Sequence, residues 1–286
     1  MNKKISVIGG DLRQLTLAKL LIEDGYDVTV SGFGKDSFSE KFKTENDPKK
    51  AANADILILP MPASIGKNLL NAPFAGEDIL ISDIAENTPP DALILGGKLN
   101  ALIYEAFKVQ KCIDYGERNE LMIKNAVPTA EGAIELAISE TPSTIAHSNC
   151  LVIGYGRIGK VLSKMLHDMN SRVTVSARKY SDLAWISVNG CNAVHNKDLI
   201  NSINEYDVIF NTAPALILDE KILQKINPDS IVIDLASKPG GVDFGKAKDL
   251  GLKVIWALSI PGKTAPISSG EIIKETVSNI FSEEGV

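Results

Sequence analysis

A glycine-rich turn set between an apolar run and an amphipathic stretch restricts the fold of this chain more than any other feature of its sequence. The turn has the pattern G-x-G-x-x-G at 154–159 and follows the apolar residues 150–153. Apolar residues then recur at helical spacing over 158–169, and another apolar run begins at Val173. This order of strand, turn, helix and strand is typical of a βαβ unit that binds a dinucleotide.

Each glycine of this turn has a separate physical task. Gly154 permits the tight turn, Gly156 lets the backbone approach a pyrophosphate, and Gly159 allows the helix to pack closely. The N-terminus of the helix adds oriented N–H groups for phosphate oxygens. The pattern therefore predicts a cofactor site formed by Gly154, Tyr155, Gly156, Arg157, Ile158 and Gly159.

The end of the next strand indicates which dinucleotide is bound. An NAD enzyme normally has Asp or Glu there, which accepts hydrogen bonds from the ribose hydroxyls, but residues 175–179 contain no acid. Ser176 is able to donate to a 2′-phosphate, and Arg178 and Lys179 to neutralise it. NADP is therefore favoured, with NAD as the alternative. In the other interpretation, Arg178 and Lys179 are solvated loop charges.

Short apolar runs alternate with longer amphipathic stretches along the whole chain. This alternation predicts an α/β fold class with two tandem doubly wound parallel-sheet (Rossmann-like) domains joined by a connector helix. The predicted strands are 5–8, 28–30, 55–59, 79–82, 92–95 and 111–114, then 150–153, 173–175, 207–210, 231–234 and 253–256. The predicted boundaries are 1–126 for a substrate or partner domain, 127–146 for the connector helix and hinge, 147–265 for the dinucleotide domain, and 266–286 for a C-terminal helix of unassigned docking.

Composition excludes several other classes of protein. Thirty Lys and Arg against 36 Asp and Glu give a formal net charge of −6, which argues against nucleic acid as a partner. No apolar run approaches the roughly 20 residues of a membrane span, and the N-terminus has no signal-peptide core, so we expect a cytoplasmic protein with no membrane partner. The three cysteines and three histidines lack metal-ligand spacing, so no metal site is expected.

The first domain has a comparable turn after its first strand, but the turn suits a nucleotide poorly. It reads Gly-Gly-Asp at 9–11, lacks a third glycine, and places the Asp11 carboxylate where it would repel a pyrophosphate. Arg13, at the start of the next helix, suits an anionic substrate group, with Asp11 orienting it or accepting a proton. A purely structural pairing of Asp11 with Arg13 is an equal alternative. Residues 60–64 and 96–98, at other strand ends, are expected to line the same cleft.

Polar residues at the other strand ends are further candidates, because ligands of open α/β sheets bind outside the carboxyl ends of the strands. Thr212 and Pro214 are expected to shape the nicotinamide-ribose wall. Lys238 is expected to bind a substrate carboxylate, or else is a surface lysine beside a turn. Arg118 and Glu131 lie near the connector and are placed to close the cleft from the hinge.

Several motifs lie along nearly the whole chain. They read I-G-G-D-x-R-Q at 8–14, P-T-x-E-G at 128–132, G-x-G-R-x-G at 154–159, D-L-A-S-x-P-G-G at 234–241 and P-G-K-x-A-P at 261–266. Together they resemble the A-subunit family of dipicolinate synthase, and the first and fourth are the distinctive ones.

The resemblance implies an enzyme of a sporulating bacterium that oxidises dihydrodipicolinate to dipicolinate with NADP or NAD, together with the flavoprotein-like B-subunit of dipicolinate synthase. Such a site must hold a dicarboxylate against the nicotinamide, so Arg13, Arg118 and Lys238 are the expected substrate-binding residues. The predicted catalytic residues are Asp11, Glu131 and Lys238, with Asp11 or Glu131 as the base. A homo-oligomer is an additional expectation.

Two other functions are alternatives, of which the first fits the sequence less well and the second is not dismissed by it, because no catalytic dyad stands out. A relative of the D-2-hydroxyacid dehydrogenases would share the two-domain plan, but it needs a histidine as acid and base, and residues 258–270 contain none. A non-catalytic subunit would bind the dinucleotide only to stabilise or regulate a complex. Binding of NADPH without turnover would identify that second alternative.

Overall fold

The computed structural model describes residues 3–34 and 42–286 of the chain. The chain forms two compact units, each with its own sheet. The first unit comprises Met1–Asn125 and Ala265–Val286, and the second comprises Ala126–Thr264. The six-stranded sheet of each unit is parallel throughout, which is the predicted α/β fold class.

The first unit begins with β1 on the apolar run before the Gly-Gly turn. Its elements in chain order are β1 (Lys4–Ile8), α1 (Leu12–Glu23), β2 (Asp27–Ser31), β3 (Lys43–Thr44), α2 (Pro48–Ala51), β4 (Ile56–Ile58), β5 (Ser64–Ile65), β6 (Leu69–Leu70), α3 (Ile81–Glu86), β7 (Leu93–Gly96), α4 (Ala101–Ala106), β8 (Lys111–Asp114) and α5 (Asn119–Lys124). The sheet order is β3-β2-β1-β4-β7-β8, and β5 and β6 form a separate antiparallel pair.

The second unit repeats this plan. Its elements, followed by the C-terminal helix, are α6 (Ala126–Glu140), β9 (Asn149–Ile153), α7 (Arg157–Asp168), β10 (Arg172–Ala177), α8 (Tyr180–Val188), β11 (Asn192–His195), β12 (Val208–Asn211), α9 (Glu220–Leu223), β13 (Ile231–Asp234), α10 (Phe244–Asp249), β14 (Lys253–Trp256), α11 (Ile260–Thr264) and α12 (Pro266–Glu284). The sheet order is β11-β10-β9-β12-β13-β14, so the two sheets match strand for strand.

Both sheets are buried on both faces, which explains why their central strands read as continuous apolar runs. In β4, Ile56 and Ile58 belong to one hydrophobic cluster and Leu57 to another. In β12, Phe210 and Ile209 divide in the same way between two clusters. Successive side chains of a strand point to opposite faces, so each sheet has helices packed on both sides.

Helix α6, on the segment predicted to connect the domains, lies in the second unit. Ala130, Ala133 and Ala137 are buried in the core of that unit. A Cβ placed on Gly132 would lie 2.2 Å from Ile260 Cγ2, so α6 and α11 approach closely because residue 132 has no side chain.

Helix α12 packs on the first unit, a docking that the sequence pattern left open. Its residues Ile273, Val277 and Ile280 share a hydrophobic cluster with Leu17 and Leu21 of α1. Ion pairs with the same unit surround this apolar contact: Asp24–Lys274, Lys111–Glu284, Arg118–Glu283 and Lys124–Glu275. The chain therefore returns to its first unit after completing the second.

The structure differs from the predicted strands at a few places. The prediction of a strand at 79–82 is wrong, because α3 begins at Ile81 and buries Ile81 and Ile84 at helical spacing. The edge strands β3 and β11 escaped prediction because their residues are mostly exposed and form no apolar run. The other predicted strands lie within one or two residues of the observed ones.

The described residues contain neither a membrane-spanning helix nor a metal cluster. No helix among them is long and apolar enough to cross a membrane. No group of three or more His, Cys, Asp or Glu side chains in the described ranges is placed to hold a metal ion. The cysteines Cys112, Cys150 and Cys191 are free, and burial raises the pKa of the Cys150 thiol to about 11.

Candidate functional site

The glycine turn of the second unit lies at the carboxyl end of β9, where the structure brings three segments together. Gly154 has φ +98°, and its N–H donates to the Ser176 carbonyl at 2.9 Å. A Cβ on Gly154 would lie 2.7 Å from Thr212 Oγ1, and a Cβ on Gly159 would lie 2.1 Å from the Gly154 carbonyl oxygen. Both glycines are therefore required by contacts inside the protein.

Gly156 is different, because nothing in the described part of the protein requires a glycine there. Its φ of −81° and ψ of −162° are accessible to any residue, and a Cβ built on it would meet nothing within 4 Å. It is also the N-cap of α7, and no described side chain caps this helix. Neither backbone conformation nor packing therefore accounts for this glycine, and an anion bound at the start of α7 would satisfy N–H groups of its first turn.

The remaining residues of the turn pack around it. Ile158 and the Tyr155 ring lie against the core of the unit, and the Tyr155 hydroxyl accepts a hydrogen bond from Asn189 Nδ2 at 2.8 Å. Lys160 Nζ lies 5.4 Å from the centroid of the Tyr155 ring. Arg157 is the first residue of α7. These contacts hold the turn in place before any ligand arrives.

At the end of β10, the predicted phosphate-binding residues separate into two kinds. Arg178 and Lys179 are exposed, as a phosphate contact requires. Ser176 is fully buried in the sheet, and its hydroxyl has no hydrogen-bond partner among the described residues. Direct donation from Ser176 to a 2′-phosphate does not fit this burial, so the predicted 2′-phosphate contact depends on Arg178 and Lys179 alone.

The structure adds His195 and Tyr180 to this corner of the second unit. His195 Nε2 donates to the Arg178 carbonyl at 3.0 Å, and His195 Nδ1 accepts from the Lys197 N–H at 3.2 Å. The His195 and Tyr180 rings stack with centroids 5.5 Å apart. Both residues escaped prediction because His195 ends the unpredicted edge strand β11.

Thr212 and Pro214 follow β12. Thr212 Oγ1 donates to the Ile153 carbonyl at 2.9 Å, and this hydroxyl is the group against which Gly154 and Gly159 pack. Thr212 thus braces the glycine turn, whereas the expected role was a nicotinamide-ribose wall. Pro214 is exposed in the loop beyond it.

Lys238 lies in a loop whose shape is fixed by one buried carboxylate. Asp234, at the end of β13, is fully buried and accepts hydrogen bonds from Asn211 Nδ2 at 2.7 Å, the Ala236 N–H at 3.0 Å and the Gly241 N–H at 2.8 Å. The distinctive D-L-A-S-x-P-G-G motif is therefore a loop anchored at both ends by its aspartate. Lys238 is exposed in this loop.

In the first unit, Arg13 is enclosed by partners from its own unit. Asp11 caps α1, accepting from the Arg13 N–H at 3.0 Å, from Arg13 Nε at 2.9 Å and from Arg13 Nη2 at 2.8 Å. Arg13 Nη2 also donates to the Met61 carbonyl at 2.7 Å, and the residue is 8% exposed. This is the structural pairing that the sequence offered as an alternative. Arg13 Nε and Nη2 are therefore already hydrogen-bonded within the first unit, and Asp11 is held by the same bonds.

The chain itself covers the Gly-Gly turn of the first unit. The Gly10 N–H donates to the Asn71 carbonyl at 2.8 Å, and a Cβ on Gly9 would lie 2.8 Å from Leu70 Cδ2. Behind the turn, Gln14 Nε2 donates to the Tyr115 hydroxyl at 3.1 Å. Burial raises the pKa of Tyr115 far above its ordinary value, so this hydroxyl stays neutral. The turn is closed where its counterpart in the second unit is open.

Arg118 is occupied by ion pairs. It donates to Glu120 Oε1 at 2.8 Å and to both carboxylate oxygens of Glu283 at 2.7 and 2.6 Å. The hydrogen bonds to Glu283 and Glu120 raise the pKa of the Arg118 guanidinium above its ordinary value. The same hydrogen bonds from Arg118 lower the pKa of the Glu283 carboxyl below its ordinary value of 4.5. Arg118 therefore ties the start of α5 to the end of α12, which does not fit the expected substrate contact.

Glu131 is exposed on α6, along an apolar groove between α6 and α7. The groove is lined by Ile134 and Ile138 from one helix and by Met165 and Met169 from the other. None of the described glycine-turn residues lines it. This placement does not support the expected role of Glu131 as a base beside the cofactor.

The sequence of this chain aligns with that of a known protein over nearly its full length. The dipicolinate synthase A-subunit of Bacillus subtilis (strain 168) is 33% identical over 285 residues, which cover 98% of this chain and 96% of that protein. The chain belongs to the A-subunit family of dipicolinate synthase. The model of the family's N-terminal domain matches residues 4–115, so it covers most of the first unit.

Solved structures agree with this family assignment. The crystal structure of the dipicolinate synthase A-subunit from Bacillus halodurans matches with a TM-score of 0.90 and 29% identity, covering 98% of each chain. An L-alanine dehydrogenase matches with a TM-score of 0.69 and 12% identity, covering 99% of this chain and 90% of that one. At that identity, the second match shows a shared fold only.

Proposed function

We propose that this chain is the dinucleotide-binding subunit of a dipicolinate synthase, which oxidises dihydrodipicolinate to dipicolinate with NADP as the favoured cofactor and NAD as the alternative. The family supports the substrate. The observation that carries the oxidoreductase assignment is Gly156, a glycine that neither backbone angle nor packing requires, at the uncapped start of α7. A bound pyrophosphate explains why a side chain is absent there.

The second unit offers a set of contacts suited to such a cofactor. Gly156 and the first N–H groups of α7 would hold the pyrophosphate, and Arg178 and Lys179 would hold a 2′-phosphate. When bound, NAD(P)⁺ supplies the hydride acceptor. The absence of an acid at 175–179 removes the group that would repel the 2′-phosphate, which is why NADP is favoured.

The substrate carries two carboxylates, so the chain must supply cationic contacts. Arg13 and Arg118 already serve partners of their own unit. Lys238 is exposed at the carboxyl edge of the second sheet, on a loop that Asp234 holds rigid. We assign Lys238 to a substrate carboxylate, because an ammonium on a fixed loop positions an anion at small entropic cost.

The reaction removes one hydride and one proton from the dihydropyridine ring, and the ring becomes aromatic. The aromatic product favours loss of the proton, so release to water is sufficient and no strong protein base is needed. This agrees with the ion pairing of Asp11 and the exposure of Glu131 on α6. The two predicted bases therefore have no assigned step in this proposal.

The family name implies assembly with a different subunit, and we extend that assembly, a cytoplasmic location and a role in sporulation to this chain as parts of the proposal.

The first test is a fluorescence titration with NADPH and NADH, followed by turnover of dihydrodipicolinate with and without the B-subunit. We expect tighter binding of NADPH and formation of dipicolinate with stoichiometric NADPH. Binding without turnover, even when the B-subunit is present, would establish the non-catalytic alternative. Absence of dinucleotide binding would overturn the proposal.

A further inference from the structure

Helix α6 has one apolar face in the core of its unit and a second apolar stripe that reaches the surface. Ala130, Ala133 and Ala137 form the first face and are buried. Ile134 and Ile138 form the stripe, because residues four positions apart lie on the same side of a helix. Ile134 is 7% exposed, whereas Ile138 is 52% exposed. The stripe therefore runs from the core out to solvent, where covering it would remove apolar surface from water.

Helix α7 supplies the opposite wall. Met165 and Met169 repeat the spacing of four, and Met169 is 37% exposed. With Ile134 and Ile138 they line a groove of about 630 Å³, the α6–α7 groove. All of its described lining residues belong to the second unit, and along α6 it runs from residue 131 to residue 139. That length is about 12 Å, or roughly two turns of helix, and flexible methionines adapt to the side chains of a partner.

The rim of the α6–α7 groove is acidic. Glu131 and Glu135 lie on α6 and Asp168 on α7, and none of the described lining residues is basic. Asp168 is paired with Lys164 of its own helix at 2.6 Å. No ion pair to Glu131 or Glu135 occurs within residues 3–34 and 42–286. In the described ranges, two exposed carboxylates therefore flank the apolar floor without a paired cation.

We propose that the α6–α7 groove is the docking site of the B-subunit, which inserts an amphipathic helix with lysine or arginine beside its apolar face. The inference rests on the proposed function, which assembles this chain with a B-subunit, and it adds the place and the chemistry of that contact. An apolar groove between two helices accepts the apolar face of a third through side chains at i, i+3, i+4 and i+7. Cations beside that face would pair with the acidic rim, which speeds association and disfavours acidic partners.

The same charges argue against a second copy of this chain as the occupant. A contact between two copies related by a two-fold axis uses the same surface of both. It would bring Glu131 and Glu135 of one copy near the acidic rim of the other, and the whole chain carries a formal net charge of −6. Like charges that meet in an interface oppose its formation. A basic helix meets no such repulsion.

The first test measures binding of the purified B-subunit to Ile138→Glu and to the control Val188→Glu. Ile138 is 52% exposed, and Val188, at the end of α8 in the same unit, is 74% exposed. Neither change places a charge in the core, so both variants should unfold at the same temperature as the wild type. Calorimetric titration should show Kd for the B-subunit raised roughly 10- to 100-fold in Ile138→Glu, as for loss of an apolar contact within an interface. The control should bind as the wild type does.

A second pair of variants tests the acidic rim and does not depend on the apolar floor. Glu135→Lys should weaken B-subunit binding about tenfold at low salt, and the difference from wild type should shrink in about 0.5 M NaCl, because exposed charges are screened. Glu205→Lys changes the net charge equally at an exposed acid of the same unit and is the matched control. It should leave the affinity for the B-subunit nearly unchanged.

The outcomes separate this inference from the proposed function. Both groove variants should bind NADPH as the wild type does, because none of the described glycine-turn residues lines the groove. Wild-type affinity for the B-subunit in both variants, or equal losses in their controls, would overturn the docking site and leave the proposed function intact. Sedimentation of the chain alone adds a further check, since a dimer that Ile138→Glu dissociates would assign the groove to a second copy. A wild type that binds no dinucleotide would overturn the proposed function instead.

Discussion

The turns after β1 and β9 occupy the same place in two sheets of identical strand order, yet only the second is open to a ligand. In the first unit, the Asn71 carbonyl accepts the Gly10 N–H, and Asp11 caps the following helix. In the second unit, Gly156 caps its helix without a side-chain hydrogen bond, and a Cβ there would meet nothing within 4 Å. The N–H groups that a pyrophosphate would bind are therefore hydrogen-bonded within the protein in the turn after β1. In the turn after β9, no side chain caps the helix.

The third glycine position shows the same contrast. Counted from the first glycine of each turn, Gln14 stands where the second unit has Gly159. Gln14 is fully buried and donates to Tyr115, whereas at Gly159 the absence of a side chain lets the helix approach the Gly154 carbonyl. A strand order that is compatible with nucleotide binding is therefore not sufficient for it. Whether such a sheet binds a nucleotide is decided by two or three residues of the turn after its first strand.

The largest expected effect comes from Arg13→Met in the closed turn. The change removes a buried guanidinium, which leaves the half-buried Asp11 carboxylate without its ion-pair partner and the Met61 carbonyl without its donor, so we expect a loss of about 3 kcal/mol in the free energy of unfolding. Urea denaturation followed by circular dichroism measures it. NADPH affinity should not change, because the open turn belongs to the second unit.

A double variant checks the origin of this loss. Adding Asp11→Asn to Arg13→Met removes the unpaired charge, so part of the stability should return. Wild-type stability in the single variant would show that the closed turn does not depend on this pair. A large fall in NADPH affinity would contradict the assignment of the cofactor to the open turn.

The next largest effects come from two glycines of the turn after β9, one expected to matter for NADPH binding and the other for stability. Gly156→Ala places a methyl group in open space, so the free energy of unfolding should stay the same or rise slightly, while NADPH binding should weaken about 100-fold. Gly159→Ala forces a contact with the Gly154 carbonyl, and its overpacking should lower stability by about 1–3 kcal/mol. Thermal unfolding and fluorescence titration of both variants measure the two quantities. Equal NADPH affinity in Gly156→Ala and wild type would mean that the turn is glycine-rich for packing alone.

Sequence reasoning predicted the fold well where burial is strongest. The central strands are apolar on both faces, so runs such as 231–234 are visible directly, and β13 has those bounds. Edge strands such as β11, Asn192–His195, are half exposed and leave no such run. The start of helix α3 was mistaken for a strand because residues 79–81 form a short apolar run, although Ile81 and Ile84 lie at helical spacing.

The candidate site was predictable only in part, for a different reason. A glycine motif is local, so the turn at 154–159 was visible in sequence. The partners of Arg118 are not local, because Glu283 lies at the end of α12, a helix whose docking depends on tertiary packing. The burial of Ser176 depends in the same way on the helices that cover its sheet. Charges that look free in sequence are paired when distant segments meet.

A smaller effect is expected in a variant that tests whether the second unit prefers NADPH or NADH. Arg178→Ala should weaken NADPH binding about tenfold and leave NADH binding nearly unchanged, because the proposal gives this guanidinium a contact with the 2′-phosphate and with no other part of the cofactor. Lys221→Ala, an exposed lysine on α9 of the same unit, is the matched control. Parallel fluorescence titrations give the ratio of the two affinities. Equal losses for NADPH and NADH would favour the interpretation of Arg178 as a general surface charge.

The smallest effect concerns the paired Arg118 of the first unit. Hydrogen bonds from Arg118 lower the pKa of Glu283 from 4.5, so the folded state binds fewer protons than the unfolded state in that range. The stabilisation is therefore present above the unfolded pKa of 4.5 and is lost as pH falls through the lowered folded pKa. Arg118→Met should unfold at a slightly lower temperature than wild type at pH 7, and the gap should close on acidification. Lys108→Met, which breaks an exposed pair with Glu105, should show no such pH-dependent gap. A gap that persists at low pH would assign the loss to packing and not to charge.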